Sequence, residues 1–141
     1  MIAASVAFAV AVSAPSFFAG MASAYGWRGD RWDNGRRACR GALSARLGDA
    51  GWRRALTRGV AHRTLPCGTR LLVVDLDTGR AARVVVVDRG PYGQVDGVGR
   101  WAARSRLQPG ARWRGVLDCL PEVAESLGLR GLHRVAVRVE L

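Results

Sequence analysis

The plainest periodic signal lies at the C-terminal end. There Val135, Val137 and Val139 alternate with Arg134, Arg138 and Glu140 over His133 to Leu141. A period of two predicts a strand with one apolar face. Thr69 to Leu76 (TRLLVVDL) and Ala81 to Val87 (AARVVVV) are apolar on both faces. They predict two buried strands, the second rich in the β-branched residues that strands prefer. Asp77-Thr78-Gly79-Arg80 between them predicts a hairpin turn, with Gly79 taking the positive φ. The second strand stops at Asp88-Arg89-Gly90-Pro91, because proline cannot donate to a ladder. Gly59 to His62 and Val116 to Asp118 read as short strands, and Leu65 to Gly68 as a turn. A first strand is expected near Ala38–Leu43, followed by a surface insertion over Gly48–Arg58. Pro121 to Leu127 predicts a helix, with proline in its first turn, Glu122 and Glu125 towards its positive end and Gly128 as its stop. Gly93 to Gly115 reads as a long loop with a helical turn at Arg100–Arg106. The sum is a mainly β domain with one short helix and long surface loops, and its several short strands point to a barrel.

The N-terminal stretch changes the picture of compartment. Residues 1–24 carry no charge, and Ala22-Ser23-Ala24 fits a small-x-small processing site before Tyr25. This reads as a secretory leader. The competing reading is an uncleaved anchor, but Pro15 and Gly20 interrupt the apolar run that a span of 18 or more residues needs. No cysteine follows the run, so no lipid-modified N-terminus is expected, and no later segment is apolar enough to span a membrane. The expected organisation is a leader at 1–24, an arm rich in Gly, Asp, Arg and Trp at 25–37, and one domain at 38–141.

Charge adds less than its size suggests. The net charge is +11, and all 22 basic side chains are arginine. With one isoleucine (Ile2) and one asparagine (Asn34), that vocabulary is what GC-rich codons give. A basic chain invites nucleic acid, an anionic membrane or an acidic polymer. The leader and the lack of a nucleic-acid-binding motif argue against the first. Outside the cell, two of Cys39, Cys67 and Cys119 should pair and one be left over. The cysteines lack a supporting histidine spacing, and His62 and His133 are far apart in sequence, so no metal is expected, nor any cofactor.

Two segments carry candidate chemistry. His62 stands just before the rigid Leu65-Pro66-Cys67-Gly68 turn, and Asp88 ends a buried strand. Strand ends and the loops beyond them are where a rigid scaffold offers reactive groups. Desolvation should raise the Asp88 pKa, and Arg89 would lower it again if it turned inward. Both residues have a plainer reading: the Asp-Arg-Gly-Pro turn could serve the fold, with Asp88 capping backbone N–H groups and His62 hydrogen-bonded in the wall. Asp118, just before the helix, is open to the same two readings. All five tryptophans fall outside the predicted strands, either packing long insertions or stacking on sugars, with Trp101 and Trp113 best placed for a groove. Tyr92 follows the Asp-Arg-Gly-Pro turn directly.

These segments together resemble the double-psi β-barrel of the rare lipoprotein A (RlpA) family, the septal-ring lytic transglycosylases. The resemblance rests on AHxTLPxGT at Ala61 to Thr69, VxxxDRGPY at Val84 to Tyr92 and LDxxPxxAxxLGxxG at Leu117 to Gly131, with the closing strand at Val135 to Leu141. It implies a six-stranded double-psi β-barrel. It implies cleavage of peptidoglycan glycan strands between N-acetylmuramic acid and N-acetylglucosamine, leaving a 1,6-anhydro end. Asp88 matches the family's catalytic aspartate and His62 its required histidine; Arg89, Tyr92, Asp118 and Trp113 are the expected substrate contacts. The resemblance also favours a Cys39–Cys67 disulfide, with Cys67–Cys119 as the alternative. It implies a secreted or cell-envelope monomer with divisome proteins as further partners. The alternative is a non-catalytic, expansin-like wall-binding module. One departure stands out. Members begin the barrel with A-S-x-Y-G, which Ala22-Ser23-Ala24-Tyr25-Gly26 resembles, yet this overlaps the processing site, and the two readings exclude each other.

Overall fold

The computed structural model describes residues 16–31, 33–91, 93–95, 101–103 and 115–140. The elements run β1 (Phe17–Ala24), α1 (Arg40–Leu56), β2 (Gly59–Ala61), β3 (Arg70–Asp75), β4 (Ala81–Asp88), β5 (Gly93–Val95), β6 (Trp101–Ala103), β7 (Gly115–Cys119), α2 (Pro121–Leu127) and β8 (His133–Glu140). Six strands close into a barrel in the order β1-β7-β2-β4-β3-β8, while β5 and β6 pair separately. Two pairs are parallel, β1 with β7 and β2 with β4; the other barrel pairs are antiparallel.

The alternation in β8 sends Val135 and Val137 into the core. In β3 the same period buries Leu71, Val73 and Asp75 while Leu72 and Val74 stay half-buried, so this strand is one-faced rather than apolar-buried on both sides. In β4, Val84 and Val86 enter the core and Val87 is buried as well, in the strand on which both helices pack. The β3–β4 turn has Gly79 at φ 77°, as its position in the turn requires. Gly128 ends α2 at φ 67°, its N–H closing on Ala124 and Glu125 carbonyls.

Three expectations are corrected. The first barrel strand is not Ala38–Leu43 but Phe17–Ala24, so the barrel does not begin at residue 38. Phe18 and Gly20 pair with Val137 and Val135 of β8, and Ala22 and Ser23 pair with Leu117 and Asp118 of β7. A small-residue apolar run suits a strand wall as well as it suits a leader, and the open edges of β7 and β8 supply the partners. Processing before Tyr25 would remove this wall. Second, Arg40–Leu56 is a helix, not a strand followed by an insertion. Leu43, Gly51, Trp52 and Ala55 face the barrel at helical spacing, and Gly48 at φ 72°, ψ 174° breaks the helix into two arms, which blurs the period in the sequence. Among the described residues there are therefore two helices. Third, within the long loop, Trp101–Ala103 pairs with Gly93–Val95 as strands, where a helical turn was expected. Among the described residues, no helix is long and apolar enough to cross a membrane.

Candidate active site

The site forms where three strand ends meet. Ala61, the last residue of β2, is the register partner of Asp88 on one side and of Asp118 on the other. Partners across a ladder project to the same face of the sheet, so both carboxyls rise on either side of β2. Ser23 of β1 is the register partner of Asp118 and donates its hydroxyl to Asp118 Oδ1 at 2.8 Å.

Residues 25–31 and 33–39 fold over this end. Tyr25 donates its phenol to Asp88 Oδ2 at 3.0 Å. The backbone N–H groups of Ala38 and Arg89 donate to Asp88 Oδ1 at 2.8 and 2.9 Å. Arg37 clamps Asp33 with both guanidinium nitrogens at 2.7 and 2.9 Å, lies 5.0 Å from the Tyr25 ring centre and comes within 3.8 Å of Asp88 Oδ2. Asp88 is 8% exposed, and every one of these groups presents it a hydrogen or a positive charge. Burial, followed by the neighbouring Asp88 charge, pushes the Tyr25 phenol far above its usual range, so it stays a donor. The Arg37 hydrogen bonds hold Asp33 below the usual carboxylate range.

Asp118 has the opposite surroundings. Burial pushes its carboxyl up to about 7, with Asp30, Asp88 and Asp33 adding to the rise and the Ser23 hydroxyl partly offsetting it.

His62 follows β2, and its backbone N–H reaches the Asp88 carbonyl at 3.1 Å. Its ring Nδ1 accepts from the backbone N–H groups of Thr64 and Leu65 at 3.1 and 2.9 Å. A nitrogen accepting two hydrogens carries none of its own, so the neutral ring bears its proton on Nε2. Burial first, then Arg63 and Arg89, pushes this imidazole below its usual range. The ring leans on Phe18 of β1 at 5.3 Å between centres.

Arg89 does not reach for open solvent. Its guanidinium binds the carbonyls of His62 and Leu65 at 3.2 and 2.6 Å and approaches Cys67 Sγ at 3.5 Å, which fastens the His62 turn to the end of β4. The same turn is tied from outside, since Cys67 forms a disulfide with Cys39 at the start of α1. Cys119 is free and buried, and burial pushes its thiol well above its usual range. Tyr92 and Trp113 lie outside the described residues. Trp52 is on the buried face of α1 and Trp27 is half exposed.

The sequence reading thus brought His62, Asp88 and Asp118 to one place but missed Ser23, Tyr25 and Arg37. The A-S-A-Y-G stretch was the signal for the first two, and its reading as a processing site hid it. Arg37 had none, since its role depends on how the arm folds back. A second histidine–aspartate pair lies by the β3–β4 hairpin: His133 Nδ1 to Asp75 Oδ2 at 2.6 Å. With Asp77 these residues could offer a cation one atom each. Their donors and acceptors instead meet one another and nearby backbone, with Asp75 Oδ1 taking the N–H groups of Asp77 and Thr78, and His133 Nε2 that of Arg130.

No family model matches the chain. A closed six-stranded barrel with two parallel pairs, carrying aspartate and histidine at one end, defines a double-psi β-barrel domain. The chain is 39% identical over 90 residues to the probable endolytic peptidoglycan transglycosylase RlpA of Synechocystis sp.. The match covers 61% of this chain and 23% of that relative, so the chain spans under a quarter of its relative's length.

Proposed function

We propose that this domain is a peptidoglycan lytic transglycosylase that cleaves glycan strands between N-acetylmuramic acid and N-acetylglucosamine. The observation that carries the reading is that Asp88 and Asp118 flank Ala61, with His62 next in the chain and its N–H on the Asp88 carbonyl, in a chain similar to a probable endolytic transglycosylase. The reaction breaks the bond from muramic C1 to the departing O4 and forms a new bond from C1 to the muramic O6. No water is consumed, so one proton must reach O4 and one must leave O6. Asp88, the general acid/base expected from the sequence, takes the O6 proton on Oδ2, which accepts one hydrogen bond, from Tyr25, where Oδ1 already accepts two. Tyr25 and the Ala38 and Arg89 N–H groups orient the carboxylate. His62 presents Nε2–H as a neutral donor to the sugar, while Arg89 holds the turn that carries it.

The same reading places the protein in the cell envelope or outside it. Export through the uncharged N-terminal run requires processing upstream of Phe17, so that β1 is retained. Monomeric action and septal partners belong to the same proposal. The arginine-rich surface attracts anionic wall polymers, so wall binding weakens as salt rises.

The test is product chemistry. Purified protein incubated with glycan strands stripped of stem peptides should release anhydro-muramyl products, and Asp88→Asn should not. Identical blank chromatograms from both, with retained binding to wall sacculi, would leave the non-catalytic wall-binding module.

A further inference from the structure

The proposed cleavage needs a proton donor for the departing O4 as well as an acceptor for the O6 proton. We infer that these are two residues, with Asp118 the general acid and Asp88 the general base. This rests on the transglycosylase reading above.

The geometry separates the two roles. Both carboxyls flank Ala61 on one face, two strand spacings apart, which puts their Cα atoms about 10 Å from each other. The two side chains rise from opposite sides of Ala61, so each can address one of the two oxygens, O4 and O6, of a linkage laid over it. Asp88 is ringed by hydrogens from Tyr25, Ala38 and Arg89, with the Arg37 charge behind them. Oδ1 takes two of these hydrogens and Oδ2 one, so Oδ2 keeps a lone pair for the sugar. Among the described residues, Asp118 receives one side-chain hydrogen bond, from Ser23. The charged or titratable groups around it are Asp30, Asp33, Tyr25 and Arg37 on residues 25–39, Asp88 on β4 and Cys119 next to it on β7. Of these, Arg37 supplies the positive charge, and both its nitrogens are spent on Asp33. Burial beside three carboxylates keeps a proton on Asp118 up to about pH 7.

In the step, Asp118 gives its proton to O4 as the C1–O4 bond breaks. The O6 attacks C1, and its proton passes to Asp88 Oδ. The enzyme is left with Asp118 ionised and Asp88 protonated, and exchange of one proton each with water restores it. The substrate is rearranged without gain or loss of atoms.

The experiment compares wild type, Asp118→Asn and Asp88→Asn on two substrates. One is the stripped glycan strand. The other is an aryl glycoside of a muramic-terminated oligomer, whose phenolate leaves without help. Asp118→Asn should lose about 10²–10⁴-fold on glycan strands but under about tenfold on the aryl glycoside, and Asp88→Asn should lose heavily on both. Wild-type rate on glycan strands should fall above pH 7, and that fall should be absent from the residual Asp118→Asn rate. Circular dichroism melts confirm that the isosteric variants fold. Equal losses of Asp118→Asn on both substrates, or little loss on either, would overturn the assignment while leaving the transglycosylase reading intact. A folded wild type inactive on both substrates would overturn the two together.

Discussion

The barrel holds two histidine–aspartate neighbourhoods, and they are built in opposite ways. At the hairpin, Asp75 is fully buried, and its oxygens are filled by the N–H groups of Asp77 and Thr78 and by His133. Burial alone would raise its pKa, but the Thr78, His133 and Asp77 hydrogen bonds more than offset that and leave it below the usual range. His133 has both ring nitrogens occupied. At the other end of β4, His62 and Asp88 share a backbone hydrogen bond but keep their side chains on separate partners. Nε2–H of His62 points to no acceptor recorded among the described residues, and a second carboxyl, Asp118, stands across β2. A closed Asp–His pair locks a turn, whereas at the other end of β4 the two side chains do not close on each other and leave the His62 Nε2–H and one lone pair of Asp88 Oδ2 for a substrate. Proximity of the two residue types therefore says little until the partners of each nitrogen and oxygen are counted.

The comparison breaks most sharply on activity. Asp88→Asn, assayed below its melting temperature, should lower anhydro-product release by about 10²–10⁴-fold. Asp75→Asn, assayed the same way below its melting point, should keep wild-type activity. Equal losses from the two would erase the distinction between the sites.

Stability should follow next. The Cys39–Cys67 bond closes a separation of 28 residues and ties α1 to the His62 turn. By the chain-entropy model, its removal in Cys39→Ser should cost about 3–4 kcal/mol in denaturant unfolding. Asp75→Ala leaves His133 and two backbone N–H groups without their buried acceptor, and should cost about 2–4 kcal/mol by the same measurement.

The pH dependences of the two regions have opposite signs. Asp75 has a lowered folded pKa, so its contribution is complete above about pH 4 and is lost as pH falls through that lower value. Asp118 is raised to about 7, so its contribution is complete below about pH 4 and is lost as pH rises through 7. Asp118→Asn should therefore melt roughly 5 °C above wild type at pH 8, with the gain vanishing towards pH 4. A melting difference that does not change with pH would contradict this. The smallest effect belongs to Tyr25→Phe, which removes one hydrogen from Asp88 and should slow product release by roughly 3–10-fold.

How much was legible follows from where the information sits. Strands β3, β4 and β8 and helix α2 were readable because hydrophobic period, turn glycines and proline are local properties. The ordered motifs around His62, Asp88 and Asp118 were readable for the same reason, since each of these residues is adjacent to a turn or strand end of recognisable chemistry. The β1 wall was not, because small apolar residues suit a leader, a span or a strand, and only the unpaired edges of β7 and β8 decide among them. Helix α1 was hidden by its glycines, which lower helix propensity while its apolar residues still find the barrel surface.

The sequence alone determined that the chain makes short buried strands, where they turn, and which acidic and imidazole groups stand at their ends. The tertiary structure decided which of those groups share a neighbourhood. It brought Ser23 and Tyr25, 95 and 63 residues away in the chain, to Asp118 and Asp88. It also gave Asp88 a ring of donors and Asp118 burial among carboxylates. Local pattern fixes a backbone because its hydrogen bonds and rotamers depend on near neighbours. The readiness of a carboxyl to give or take a proton depends on the field of distant segments, which only the closed barrel assembles.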